Sequence, residues 1–560
     1  MKKILYMLIL CNFMFVSCSD FLEEDNKAGI SNDEFYATAS GYETLMTASY
    51  SSLRTLYRDT PWLLIAGTDM YQNARGSDNR AILEYQQLLP SDAYVKTFYK
   101  NCYDGIQIFN IGLKYNEITT VAAVKKAQYK AELRFLRAYY HFLLVEQFGG
   151  VAINSEPTLG PRTNIPRSSL EESYAFIITE MEATLPDLSA EKARVNKTVA
   201  NHYLAKVYLT KGWDLKDNAA FEKAKTYATS AIAGKAITIP FETLWGPSNQ
   251  NNDEFIFAVQ YDAKSLTINT NGNNQQGVFG AYLGGSENGH KWMTGSVYPS
   301  WNLHNFYLQN DKRYNATFML TVYDKYFDYY TSADTSKSLI RAYYPRVWGK
   351  EFNTADSLAW IAAHKPRIAT NFKCYPFRYN EEAYRRPYAL DFASPVIKKF
   401  DSPATASVFN QYASSTDIVL ARRAETYFIY AEACIGLNDF VTASQYVQKV
   451  LDRPGNAKDG IKLFPNTDIS TSVNQSAALD AYLIESAKEF AGEYLRWPEL
   501  RRTGKLKEFV GKYNYDIKKI GGVDVAFKGL DGKDKIYRPI PQDALDLNEA
   551  DFPQNPGYQR

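Results

Sequence analysis

Histidine and cysteine are the side chains best suited to metal or covalent chemistry, and in this 560-residue chain their spacing supports neither. His141, His202, His290, His304 and His364 are scattered, and no H-E-x-x-H pair places two of them one helical turn apart as zinc ligands. Cys11, Cys18, Cys102, Cys374 and Cys434 form no C-x-x-C and no disulfide framework, so Cys102, Cys374 and Cys434 read as free thiols. The nucleophile elbow G-x-S-x-G is absent, and "GLDGKDK" has the wrong spacing for a phosphate-binding loop. No metal or cofactor is expected. Paired carboxylates leave no short signature, because their separation in space decides their chemistry. An acid pair of the glycosidase kind therefore stays open.

Two stretches carry groups for binding rather than bond making. In "GTDMYQNARGSDNR", after the apolar "WLLIA", Asp69, Tyr71, Gln72, Asn73, Arg75, Asp78 and Arg80 are close in sequence. In "GHKWMTGSVYPSW" the set is His290, Lys291, Trp292, Tyr298 and Trp301. Flat rings beside planar hydrogen-bonding groups suit a ligand with both apolar faces and polar edges. Structural uses compete. Trp301 can pack on the following "LHNFYL", Tyr71 can cover a helix end, and Asp69 can pair with Arg75. Trp348 and Trp360 are further aromatic candidates.

Helices must position these stretches. Gly41 to Tyr57 is periodic, with Tyr42, Leu45, Met46, Tyr50 and Leu53 on one stripe. Ser91 to Tyr115 reads as a second helix. "KKAQYKAELRFLRAYYHFLLVEQFGGV" is apolar on two faces, which predicts a helix packed on two sides and ended at Gly149-Gly150. Ser31 with Glu34, and Ser168 with Glu171, read as capping boxes. His141 and His202 fall inside such helices and read as core residues. "ANHYLAKVYLTKGWDLKDNAAFEKAKTYATSAI" and "AETYFIYAEACIGLNDFVTASQYVQKVL" each place small and aromatic residues as a tetratricopeptide-style helix pair does. From about 240 to 416 the texture changes. "DEFIFAVQYD" alternates like a strand, with Phe255, Phe257 and Val259 on one side, and long loops rich in Tyr, Trp, Pro and Asn follow. Hydrophobic residues make up 45% of the chain and charged residues 22%, as in a globular protein. Formal net charge is +1, so no overall field points to a nucleic-acid partner.

The amino terminus reads as an export signal. Lys2 and Lys3 precede an apolar run, Ile4 to Val16, which is shorter than the ~20 residues a membrane-spanning helix needs. Phe15-Val16-Ser17-Cys18 resembles a bacterial lipobox, which implies cleavage before Cys18 and acylation of its sulfur and new amine. Two or three acyl chains anchor stably where one is marginal. The acidic segment Ser19 to Asp25 resembles the tag that sends Bacteroidetes lipoproteins to the cell exterior.

Seven segments in order resemble the SusD/RagB family: "AELRFLRAYYHFLLVEQFGGV", "RSSLEESYAFIITEMEATLPDL", "NKTVANHYLAKVYLTKG", "NNDEFIFAVQY", "LARRAETYFIYAEACIGL", "ESAKEFAGEYLRWPELRRTGKL" and "YRPIPQDALDLNEADFPQNPGY". Pro498 and the Asp551-Phe552-Pro553 run depart from the family pattern. The resemblance implies an all-α fold, a tetratricopeptide-like helix-pair scaffold with a loop-rich lobe carrying a few short strands. It implies a leader 1–17, an acidic tether 18–30, and a body 31–560 whose scaffold, 31–239 and 417–560, holds a ligand-binding lobe, 240–416. It further implies an outer-membrane lipoprotein, lipid-anchored at Cys18 and facing outward. Such a protein captures oligosaccharides or polysaccharides without catalysis and passes them to a SusC-like TonB-dependent β-barrel. Peptide capture is the alternative within the family, and an exported glycosidase the alternative outside it. Family glycan sites are built by loops in these regions, which makes Asp69, Tyr71, Arg75, Trp292 and Tyr298 the expected ligand contacts.

Overall fold

The computed structural model describes residues 31–58, 62–73, 80–160, 162–246, 248–262, 272–280, 296–324, 338–381, 394–400, 414–457 and 468–559. The leader, Cys18 and the acidic segment lie outside the described residues.

Helices dominate. The longer ones are α1 (Ala39–Tyr57), α2 (Ala93–Asn116), α3 (Ala123–Phe148), α4 (Leu170–Glu182), α5 (Lys197–Leu215), α6 (Asn218–Ile232), α7 (Thr354–His364), α8 (Arg423–Gly436), α9 (Phe440–Leu451), α10 (Gln475–Glu489), α11 (Arg496–Arg502) and α12 (Leu506–Tyr513). From α1 to α6 each packs on the next, and α5 and α6 then pack on α8, which also meets α9 and α10. The chain thus builds helix pairs that stack, since one pair cannot bury its own apolar face. Tyr42, Leu45, Met46 and Leu53 of α1 are buried as the periodicity predicts, and α3 is buried on every side from Ala131 to Phe148 apart from Arg134. Gly149 ends α3 with a φ of 77°, a conformation that costs a Cβ-bearing residue energy. In the second turn-rich segment the capping box is Ser169 with Glu172, not Ser168 with Glu171. Ser169 is the residue in extended conformation before the helix, so its hydroxyl faces the free N–H groups. Ser31 and Glu34 form a capping box as expected. Pro498 sits in the first turn of α11, where its missing N–H would have had no helical partner.

Strands are short. β1 (Tyr71–Asn73) pairs antiparallel with β3 (Val297–Pro299), and β2 (Phe255–Val259) with β7 (Ile418–Arg422). β4 (Thr321–Tyr323), β5 (Ile340–Tyr343) and β6 (Ile368–Cys374) form one sheet, with β5 and β6 parallel and α7 in the crossover between them. β2 and β7 join the chain's entry to the strand-bearing region to its exit, directly ahead of α8.

A buried ionic cluster ties that region to the helices. Arg313 reaches Asp311 at 2.7 Å, Glu485 at 2.5 Å and Glu489 at 2.9 Å. Arg422 of β7 binds Glu254, Glu489 and Glu493 at 2.8–3.0 Å, and Arg453 binds Glu254 at 2.5 Å. Lys399 Nζ lies 3.2 Å from Glu493. Burial alone would raise the Glu489 carboxyl, but the guanidinium groups of Arg422, Arg453 and Arg313 override it and hold that carboxyl well below the usual range.

Candidate functional site

The β1–β3 ribbon brings the two binding stretches together. Tyr71 lies opposite Pro299, Gln72 opposite Tyr298, and Asn73 opposite Val297. Because the strands are antiparallel, the chain leaves β1 after Asn73 at the same end of the ribbon where it enters β3 at Val297. Arg75 follows Asn73 by two positions and Trp292 precedes Val297 by five. Both lie outside the described residues.

The ribbon is clamped from below. Asp69 is closed to solvent and takes two hydrogen bonds from Arg496 of α11, Nε to Oδ1 at 2.8 Å and Nη2 to Oδ2 at 2.6 Å. A planar carboxylate meeting a planar guanidinium edge-on is the strong form of this pair. Ser300 Oγ donates to the Asp69 carbonyl at 2.7 Å, and Ser300 N–H to the Met70 carbonyl at 2.8 Å. Asn514 Nδ2 donates to the Thr68 carbonyl at 2.6 Å, and the Asn73 N–H donates to Asp516 Oδ2, also at 2.6 Å. Tyr71 is buried against Phe279, its ring centre 5.5 Å away, and its hydroxyl accepts from the Gly492 N–H at 2.5 Å. Burial pushes that hydroxyl well above the usual phenol range. Tyr298 is 1% exposed.

Asp69, Tyr71 and Tyr298, expected as ligand contacts, are all closed to solvent in the structure. Asp69's charge is already spent on Arg496 in a solvent-free setting, and both tyrosine rings are core residues. The partner that sequence offered Asp69 was Arg75; the structure supplies Arg496, 427 positions away, in "YLRWPELRR".

A second group flanks the ribbon. Trp301, next to β3 and half-buried, lies parallel to Phe377 at 6.5 Å and donates its Nε1–H to the Arg378 carbonyl at 2.8 Å. Arg346 is caged by rings, 3.7 Å from the Trp348 centre, 4.2 Å from Phe377, 5.0 Å from Tyr314 and 6.0 Å from Tyr379. Each such contact contributes ~0.5–2 kcal/mol and fixes ring orientation. Tyr379 donates its hydroxyl to the Val347 carbonyl at 2.8 Å, and its N–H reaches Glu351 Oε1 at 2.6 Å. Trp301, Trp348 and Tyr379 are half-buried, with Arg378 and Glu351 beside them. Sequence reasoning singled out Trp348 but missed Arg346, Arg378 and Tyr379; the interleaving of arginine and rings in "YYPRVW" and "YPFRYN" was the available signal. Trp360 serves otherwise. Tyr343 and His364 each lie 4.0 Å from its ring and nearly parallel to it, so its faces are taken up pinning α7 to β5.

The family model described as the SusD family matches residues 253–558, and one described as "Starch-binding associating with outer membrane" matches residues 20–209. The chain belongs to the SusD family. A SusD-like protein of Formosa agariphila is 24% identical over 587 residues, covering 100% of both chains. The solved structure of a SusD homolog from Bacteroides thetaiotaomicron matches with a TM-score of 0.70 at 20% identity, over 94% of this chain and 98% of that one. A laminarin-binding SusD-like protein matches with a TM-score of 0.64 at 19% identity, over 93% and 100%. At these identities the solved structures establish a shared fold. The family and its helix-pair scaffold are thus as the resemblance implied.

Proposed function

We propose that this chain is a cell-surface lipoprotein, acylated at Cys18, that captures oligosaccharides without cleaving them and delivers them to a SusC-like TonB-dependent barrel in the outer membrane. The ligand lies on the loops leaving the β1–β3 ribbon. Arg75 and Trp292 contact it, the Trp301–Trp348–Tyr379 surface extends the platform, and Asp69, Tyr71 and Tyr298 hold the floor. The scaffold is 31–239 with 417–560 and the ligand lobe 240–416. Family membership supports the role in nutrient capture, as does a fold neighbour that binds laminarin. The observation that carries the site is that the chain pairs two sequence-distant aromatic and polar stretches into one ribbon. Rings stack on the apolar faces of sugar units, and several weak contacts in series give useful affinity.

Calorimetric titration of residues 19–560 with panels of oligosaccharides and peptides tests this. Heat is expected from a glycan alone. Trp292→Ala and Arg75→Ala are each expected to weaken that glycan about tenfold or more with unchanged melting temperature. Asp69→Ala is expected instead to lower stability by about 3–5 kcal/mol, because it takes the two-bonded carboxylate from the buried Arg496 and leaves it only Glu499 and the Leu483 carbonyl. Heat from peptides with none from glycans, or cleavage products in the titration cell, would refute the reading.

A further inference from the structure

Among the described residues, β2 is paired along one edge, with β7. Its other edge looks into a cavity of about 440 Å³ whose far wall is the segment 188–198. Phe257 and Val259 point into the core, and Ile256 and Ala258 are half-buried on the opposite face. Yet Phe255, Ile256, Phe257 and Ala258 line this one cavity in succession. β2 has register shifts between Phe255 and Phe257 and between Phe257 and Ala258, and none of β7's residues Ile418–Arg422 lines the cavity, which sets it on the side of β2 away from β7. The edge is therefore covered at a distance, with a slot left between.

Cations dominate the slot. Lys192, Lys197 and Lys235 are exposed at its rim, and Arg423 lines it, held by the Ala231, Ile232 and Asp253 carbonyls. The acids among its lining residues are Asp253 and Asp417. Lys192 Nζ lies 2.5 Å from Asp253 Oδ1, joining the two walls across the mouth; both side chains are exposed, and solvent screening leaves such a strap weak. Gln260 Nε2 donates to the Ala193 carbonyl at 2.9 Å and closes one end. The four lining residues of β2 span ~13 Å, room for three or four residues of extended chain.

We propose that this slot docks an acidic, extended segment of a partner polypeptide, which adds as a strand to the open edge of β2 while its carboxylates meet the lysine rim. A strand matches the spacing of edge amides, which a saccharide ring does not. The residues differ from those of the glycan site, so either reading can fail alone.

The test uses residues 19–560 and a short fluorescein-labelled peptide of alternating glutamate and valine. Saturable binding is expected, with hydrogen exchange slowed about tenfold or more at 255–258. The double variant Lys197→Glu, Lys235→Glu is expected to weaken binding about tenfold or more with an unchanged melting temperature. A lysine–valine peptide is expected not to bind. Absence of binding, binding without protection at 255–258, or equal protection by an oligogalacturonate would each overturn the proposal. Affinity that rises when residues 19–30 are deleted would overturn it too, by making the chain's own acidic segment the occupant.

Discussion

His141 shows how a single buried side chain sets a pH dependence. Its Nδ1 lies 2.8 Å from the Arg137 carbonyl, and the Asn154 N–H points at Nε2 from 3.3 Å. One neutral tautomer, with the proton on Nδ1, satisfies both contacts. A second proton would meet the Asn154 N–H head on. Burial, aided by the Arg137 guanidinium, pushes the imidazole down to about 4. The unfolded chain takes up its proton near 6.5, so between these values the unfolded state binds more protons and stability rises with pH. Acidification from pH 7 to 4 is therefore expected to cost the native protein about 3 kcal/mol more than it costs His141→Gln, by urea unfolding. Equal pH slopes for the two proteins would contradict this. That His141 and His202 are core residues was legible, because each falls within a helical apolar pattern. The use of Asp69 was not. A carboxylate in a polar stretch reads alike whether it meets a ligand or an arginine 427 positions on.

At the scale of elements, one ring sets the spacing of three helices. Phe221 of α6 lies between Gly212 of α5 and Gly436 of α8. A Cβ at Gly212 would come within 2.6 Å of its ring and one at Gly436 within 2.7 Å. Trp213 packs on the same ring at 5.0 Å, so it has little freedom to yield. Gly212→Ala would gain up to ~1 kcal/mol of helix propensity and lose ~1–3 kcal/mol to overpacking. A net destabilisation of about 1–2 kcal/mol is expected, largely recovered by adding Phe221→Leu. Additive losses in the double variant, measured by denaturant midpoint, would show that the ring is not the obstacle. The helices themselves were readable from periodicity, since their faces bury in a 3.6-residue rhythm. The adjacent serines and glutamates of "SSLEE" left the capping register open by one residue. The β1–β3 ribbon left no trace, because three residues are too few to show alternation.

For the whole molecule, the question is whether the loop-bearing lobe can move on its scaffold. Asp311, Arg313 and Lys399 come from the strand-bearing region. Glu485, Glu489 and Glu493, with Arg422 and Arg453, come from the helical body, and all are buried. Separating the two bodies would break the pairs of Arg313 with Glu485 and Glu489, of Arg422 and Arg453 with Glu254, and of Lys399 with Glu493, and would expose these buried charges. Such clusters contribute little net stability compared with apolar packing, but breaking one by a single deletion is costly. Arg313→Met would leave Asp311, Glu485 and Glu489 facing one another without their central cation. A loss of about 3–5 kcal/mol is expected by denaturant unfolding. Because the cluster spans both bodies, the loss should appear as a downward shift of one calorimetric transition that far-ultraviolet circular dichroism and tyrosine fluorescence follow together. Two resolved transitions, or a loss below about 1 kcal/mol, would show that lobe and scaffold are independent.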